Sequence, residues 1–262
     1  MSPDYDLWIR RYHPRPDSPV RLVCLPHAGG SASFFYPLSA SLPATVEALV
    51  VQYPGRQDRR TEPCAESIGA LAGQIATVLR ASEDDRPLAL FGHSMGSVLT
   101  FEVAMCLEQD GGAPVVGVIA SGRRSPTRHI DERVHLRDDA GLLAEITALS
   151  GTSMAVLQDE EIRLAVLQTL RGDYRAVETY RYQPGARLGC PLSVFTGDSD
   201  PRVSREDAWA WQELTSAAFR LREFRGGHFY LSDQWAAVAR AITSELATFS
   251  TPAAAGPTPA AS

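Results

Sequence analysis

Leu88-Ala89-Leu90-Phe91-Gly92-His93-Ser94-Met95-Gly96-Ser97-Val98-Leu99-Thr100-Phe101-Glu102-Val103 reads as a strand, a tight turn and the opening of a helix. The turn carries the pattern G-x-S-x-G at Gly92-His93-Ser94-Met95-Gly96. A serine on such a turn projects its hydroxyl above the end of a sheet, provided the residues two before and two after it lack side chains. The helix behind it offers unpaired N–H groups to a developing anion. Ser94 is therefore the candidate nucleophile.

Working outward from that turn, short apolar runs alternate with helical patterns. The expected strands are Arg21 to Leu25, Ala48 to Tyr53, Leu88 to Phe91, Val115 to Ser121, Leu192 to Thr196 and Arg220 to Phe224. The expected helices are Ser67 to Ala81, Ser97 to Gln109 (stopped by Gly111 and Gly112), Ser204 to Leu214 and Asp233 to Phe249. Apolar strands joined by crossover helices imply an α/β domain with a mostly parallel sheet and helices on both faces. With the serine turn, this is the α/β-hydrolase pattern. It is expected to occupy residues 1–250. From Gly122 to Pro191 the rhythm breaks, with two helical patterns, Ala140 to Leu149 and Asp159 to Arg171, and no good strand. A crossover needs only about 10–12 residues. The surplus, about 122–190, is read as a lid over the ligand crevice at the strand C-termini, with the apolar residues of Leu142 to Leu149 facing either an acyl chain or the sheet. Residues 251–262 contain only Ala, Pro, Thr, Ser and Gly and are expected to be a disordered tail.

A serine nucleophile needs a base, and the base needs a carboxylate, in the chain order Ser, Asp or Glu, His. Of the six histidines, only His228 follows both the serine and a late strand, in Phe224-Arg225-Gly226-Gly227-His228-Phe229. His93 is expected to serve packing. Asp198 and Asp200 compete for the carboxylate role in Gly197-Asp198-Ser199-Asp200-Pro201. Asp198 suits a turn cap, and Asp200, further out, is favoured for reach to His228. The glycine-rich Pro26-His27-Ala28-Gly29-Gly30 follows the first strand, where the second oxyanion donor belongs. The expected oxyanion hole is the backbone N–H of Ala28 and Met95.

The formal net charge of −6 over 262 residues disfavours nucleic acid and anionic membrane as partners. No apolar run approaches a bilayer span, and the N-terminus lacks the basic and apolar regions of a secretory signal. Cys24, Cys64, Cys106 and Cys190 form no C-x-x-C pair, and no His/Cys/Asp cluster has ligand spacing. No metal or cofactor is called for, and a reducing cytoplasm is the expected location. Arg56, Arg59, Arg60, Arg123, Arg124, Arg128, Arg202 and Arg205 fall just past strand C-termini. They form either a basic rim that attracts an acidic partner or a set of pairs with acids such as Asp58, Glu62, Asp131 and Glu132.

Over nearly the whole chain the sequence resembles the type II thioesterases, stand-alone editing enzymes of polyketide and nonribosomal peptide assembly. The resemblance rests on Leu25-Pro26-His27-Ala28-Gly29-Gly30, Tyr53-Pro54-Gly55-Arg56, Phe91 to Gly96 and Gly197 to Asp200, and within the insertion on Leu170-Arg171-Gly172-Asp173-Tyr174 and Glu178-Thr179-Tyr180. It implies that the second aspartate, Asp200, is the triad member. It also implies hydrolysis of acyl groups from the phosphopantetheine arm of acyl- or peptidyl-carrier proteins. Transfer to an internal nucleophile, as in cyclising thioesterases, and general carboxylester hydrolysis would use the same residues.

Overall fold

The six expected strands all form, and a seventh joins them. A computed structural model describes residues 3–65, 67–109, 114–150 and 159–249. Gly111, Gly112 and the tail from 251 lie outside the described residues. The strands are β1 (Ile9–Arg10), β2 (Val20–Leu25), β3 (Val46–Val51), β4 (Leu88–His93), β5 (Val115–Ser121), β6 (Leu192–Gly197) and β7 (Phe219–Phe224). Their order is β1-β3-β2-β4-β5-β6-β7, and every pairing is parallel except β1 with β3. β1, which follows the short helix α1 (Pro3–Trp8), escaped the sequence reading because two residues carry no periodicity; it forms by pairing Ile9 with Val51 and Arg10 with Val50 while Ile9 is buried in the core.

Alternate strand residues feed two apolar layers, as a sheet covered on both faces requires. Val23, Leu25, Leu49, Leu88 and Leu90 pack with helices α3 (Ile68–Arg80) and α4 (Met95–Gln109). Leu22, Cys24, Ala48, Val50, Ala89 and Phe91 pack with α2 (Tyr36–Ser41) and α8 (Trp235–Phe249). Cys24 is a fully buried core residue, as its apolar setting implies, and burial pushes its thiol well up. The helix expected over Ser204 to Leu214 is α7 (Arg205–Trp209), opened by a capping box between Ser204 and Asp207, followed by a 3-10 turn over Ala210–Leu214. The helix expected from Asp233 begins at Trp235, after a 3-10 turn at Tyr230–Asp233.

Between β5 and β6 the described residues hold no strand beyond an isolated bridge at Leu188. The segment contains α5 (Asp139–Ser150) and α6 (Glu160–Glu178), which share a small core of Val134, Leu142, Leu167 and Leu170. α6 runs past the expected end at Arg171, because Ala176 and Val177 continue its buried side onto the main core. Its last residue, Glu178, accepts from the N–H groups of Val134 at 2.8 Å and His135 at 3.1 Å and so ties the helix end to the loop after β5. Among the described residues, no helix is long and apolar enough to cross a membrane.

Candidate active site

Ser94 is the single residue between the end of β4 and the start of α4. Its φ is 55°, a left-handed conformation that costs a non-glycine residue about 1–2 kcal/mol. The neighbouring backbone enforces it. Ser94 N donates to Ser121 O at 2.8 Å, and the Ser97 hydroxyl lies within hydrogen-bond distance of both Gly92 O and Ser121 O. A Cβ on Gly92 would lie 2.0 Å from Gly96 O, and one on Gly96 would lie 2.0 Å from Leu25 O. The two glycines therefore let the turn close on itself and on the end of β2.

The loops after β6 and β7 meet beside this turn. A Cβ on Gly197 would lie 2.3 Å from Gly226 O, so glycine is what allows the loops to touch. The two aspartates take separate tasks. Exposed Asp198 accepts from Gly226 N at 3.0 Å and braces the loop pair. Buried Asp200 places Oδ2 2.9 Å from His228 Nδ1, and its Oδ1 accepts from Arg202 N at 2.8 Å. His228 is itself buried and borders the same cavity as Ser94.

His93 packs, as expected, and also hydrogen-bonds. It is fully buried with its ring 5.2 Å from that of His228, and its Nδ1 is 2.9 Å from Ser121 Oγ, which meets Tyr230 Oη at 2.8 Å. Burial, with His228 and His27 alongside, holds His93 far below the usual imidazole range. It is thus a neutral shelf under His228. His129 is exposed and His135 pairs with Glu178, so neither reaches the site.

The loop after β2 is a turn closed by Gly30 N donating to His27 O at 2.9 Å, with Gly29 at φ 74°. Gly29 N donates to Asp173 Oδ2 at 2.7 Å. The N–H groups of Gly29 and Gly30 are thus engaged, while that of Ala28 has no protein partner among the described residues. Met95 opens α4, ahead of the first intrahelical acceptor. His27 stands between Phe34 and Phe229, with ring centroids at 4.4 and 4.8 Å. This enclosure pushes its imidazole down to about 3. The sequence offered no signal for Asp173 as a partner of this loop beyond its place in a family motif.

These parts border a cavity of about 450 Å³. Ser94, His27, Ala28 and His228 are among its lining, together with the apolar side chains of Phe34, Phe229, Ile146, Leu149, Val166 and Leu170. Of the α5 residues expected to face either a chain or the sheet, Leu142 packs between α5 and α6, while Ile146 and Leu149 face the cavity. Such a pocket suits an aliphatic chain with its reactive carbonyl at Ser94.

The arginines near the strand ends are largely neutralised. Arg123, Arg124 and Arg202 surround Glu132. Arg59 pairs with Glu62 and lies 4.1 Å from the Trp8 ring centroid. Arg56 pairs with Asp173, Arg128 with Glu213 and Arg205 with Glu223. Of the eight, Arg60 stays exposed and has no ion pair among the described residues. A continuous basic rim does not form, because acids fold in among the arginines: Glu62 and Glu132, as the sequence suggested, and Asp173, Glu213 and Glu223 from other segments. Two of the suggested partner acids are taken elsewhere, Asp58 by Arg10 and Asp131 by Arg133.

A thioesterase domain model matches residues 20–246. Thioesterase PikA5 of Streptomyces venezuelae is 49% identical over 246 residues, covering 94% of this chain and 88% of that protein. A probable cadicidin biosynthesis thioesterase of Streptomyces griseus is 52% identical over 239 residues, covering 91% of this chain and 66% of that protein. The solved structure of BorB, a type II thioesterase from the borrelidin biosynthetic cluster, superposes with a TM-score of 0.84 at 47% identity, over 92% of this chain and 98% of BorB. YbtT, a type II thioesterase from the yersiniabactin pathway, gives 0.84 at 32% identity, over 93% and 100%. The chain belongs to the thioesterase family, and within it to the type II thioesterases of the α/β-hydrolase fold.

Proposed function

We propose that Ser94, His228 and Asp200 form a catalytic triad that hydrolyses acyl thioesters carried on the phosphopantetheine arm of acyl- or peptidyl-carrier proteins. The observation that carries this reading is the buried His228–Asp200 pair at 2.9 Å, whose histidine lines the same cavity as a serine at φ 55°. The similarity to thioesterases of polyketide and nonribosomal peptide pathways supports the carrier-protein substrate and an editing or release task.

Ser94 Oγ attacks the thioester carbonyl while His228 Nε2 takes its proton. Asp200 holds the Nδ1–H tautomer and stabilises the imidazolium that forms. The oxyanion is received by the N–H groups of Ala28 and Met95, each of a kind worth about 2.7–4 kcal/mol in the transition state. The leaving thiol has a pKa near 8.5, by analogy with cysteine, so it departs more readily than an alkoxide and asks little of the histidine as an acid. Water then enters, loses a proton to His228 and releases the acid from the acyl-enzyme. The acyl chain lies along the apolar side chains that α5 and α6 contribute to the cavity, Ile146, Leu149, Val166 and Leu170, in keeping with a lid role for the insertion.

The test is a panel of acyl-carrier proteins set against the same acyl groups on a small thiol, with wild-type and Ser94→Ala enzyme. Triad chemistry requires the alanine variant to lose at least about a thousandfold in rate. More than a tenth of the activity remaining would remove Ser94 from its role. Equal rates on carrier-bound and small-thiol substrates would remove the carrier protein as partner.

A further inference from the structure

Arg56 and Asp173 stand 117 residues apart in sequence and form an ion pair at 2.7 Å, each side chain 6% exposed. The pair is poorly equipped to stabilise the fold. Arg56 Nε and Nη1 are buried without a hydrogen-bond partner among the described residues. A buried pair with unmet donors gains little over apolar residues of the same volume. Its geometry is directed elsewhere. While Oδ1 of Asp173 takes Arg56, Oδ2 takes the N–H of Gly29 at 2.7 Å.

That N–H decides the shape of the loop. A His27 O to Gly30 N closure with Gly29 at φ 74° is a type II turn, which differs from type I by a flip of the Ala28–Gly29 peptide. An acceptor fixed on the Gly29 N–H holds that peptide in one orientation. The start of the same loop is tied as well, since Tyr53 Oη donates to Pro26 O at 3.0 Å and the Arg56 guanidinium lies 5.1 Å from the Tyr53 ring centroid. Asp173 belongs to α6, whose Val166 and Leu170 wall the cavity. Leu170 also touches the turn directly, since a Cβ on Gly29 would lie 2.5 Å from its Cδ2.

We propose that Asp173, held in place by Arg56, is a positioning residue: it locks the His27–Gly30 turn so that the Ala28 N–H faces the oxyanion, and it ties that donor to the helix that receives the acyl chain. The proposal rests on Ala28 serving as an oxyanion donor in the reaction described above.

The test compares two double variants. Arg56→Met with Asp173→Leu replaces the pair by apolar residues and removes the acceptor for Gly29; Arg56→Met with Asp173→Asn keeps a carbonyl for it. On a small acyl-pantetheine thioester, the leucine pair is expected to lose about 30- to 100-fold in kcat, with KM within about twofold. Affinity for a trifluoromethyl ketone analogue, which forms a tetrahedral adduct, should fall by the same factor, while an unreactive thioether binds as to wild type. The asparagine pair should return to within about fivefold of wild-type kcat, as expected when the Gly29 acceptor is kept. The proposal fails if the leucine pair stays within about threefold of wild type, too little for a displaced donor. It also fails if thioether binding falls along with kcat, or if the asparagine pair does no better. A leucine pair without a cooperative thermal transition is replaced by Arg56→Met with Asp173→Ser, whose hydroxyl is too short to reach Gly29, and the same contrast applies. Wild-type enzyme that neither cleaves the thioester nor binds the ketone would sink the thioesterase chemistry itself; wild-type turnover without the contrast sinks only the positioning role.

Discussion

Replacing Asp200 by asparagine changes one atom, and the hydrogen bonds around that residue decide where the change falls. Oδ1 of Asp200 accepts from the N–H of Arg202, and Oδ2 faces His228 Nδ1. An asparagine must keep its carbonyl toward Arg202, because the flipped amide would set two donors against each other at a cost of about 1–3 kcal/mol. Its NH₂ group then faces His228 Nδ1, which must become an acceptor, leaving the ring proton on Nε2. In that tautomer the ring cannot take a proton from Ser94. The expected loss in kcat is about 10⁴-fold, or ~5 kcal/mol of transition-state stabilisation. Asp198→Asn keeps a carbonyl for Gly226 N at an exposed site and should cost less than about threefold. The assay is kcat/KM on an acyl thioester with thiol release as the readout, alongside thermal unfolding of each variant. Comparable losses in the two variants, or a larger one at Asp198, would refute the division of labour between the aspartates.

Ser94→Gly should abolish turnover yet raise stability by about 1 kcal/mol, or about 2–4 °C in Tm, by relieving the left-handed residue; an unchanged or lower Tm would show that the turn is not strained. Gly96→Ala should cost about 3 kcal/mol or more, since its Cβ would meet Leu25 O at 2.0 Å, whereas Gly73→Ala, open on all sides within α3, should stabilise by about 0.5–1 kcal/mol; calorimetry that fails to separate the two would contradict the steric account. His27 is held down to about 3 against an ordinary 6.5, so the unfolded chain binds the extra proton between those values. Its contribution to stability is therefore complete above pH 6.5 and fades as pH falls toward 3, by up to about 2 kcal/mol at pH 5 for a side chain that also borders the cavity. His27→Phe should flatten the fall in urea midpoint between pH 7 and 5, and a profile parallel to wild type would remove His27 as its source.

The strand–serine–helix turn was legible because its determinants are local: a serine forced to positive φ needs glycines two residues away on either side, and that requirement is written in five consecutive letters. The parallel sheet was legible for a similar reason, since strands covered on both faces must be short and apolar. Chain order pointed to His228 and favoured Asp200, but the separation of Asp200 from Asp198 depends on which loop N–H each carboxylate meets, and those belong to Arg202 and Gly226. Distant contacts left no local trace. The two residues of β1 have no period and form a strand by pairing with β3. Glu132 could be suspected from the sequence as a partner of Arg124, but the pairing of Arg128 with Glu213 and of Arg56 with Asp173 could not. Arg56 and Asp173 are ordinary charged letters until the fold buries both and aims one carboxylate at Gly29. Short-range sterics and periodicity determine the elements and the turn that holds the serine; which carboxylate meets which partner, across two residues for Asp200 and Arg202 N or 144 for Asp173 and Gly29 N, is decided only when the loops and helices are packed together.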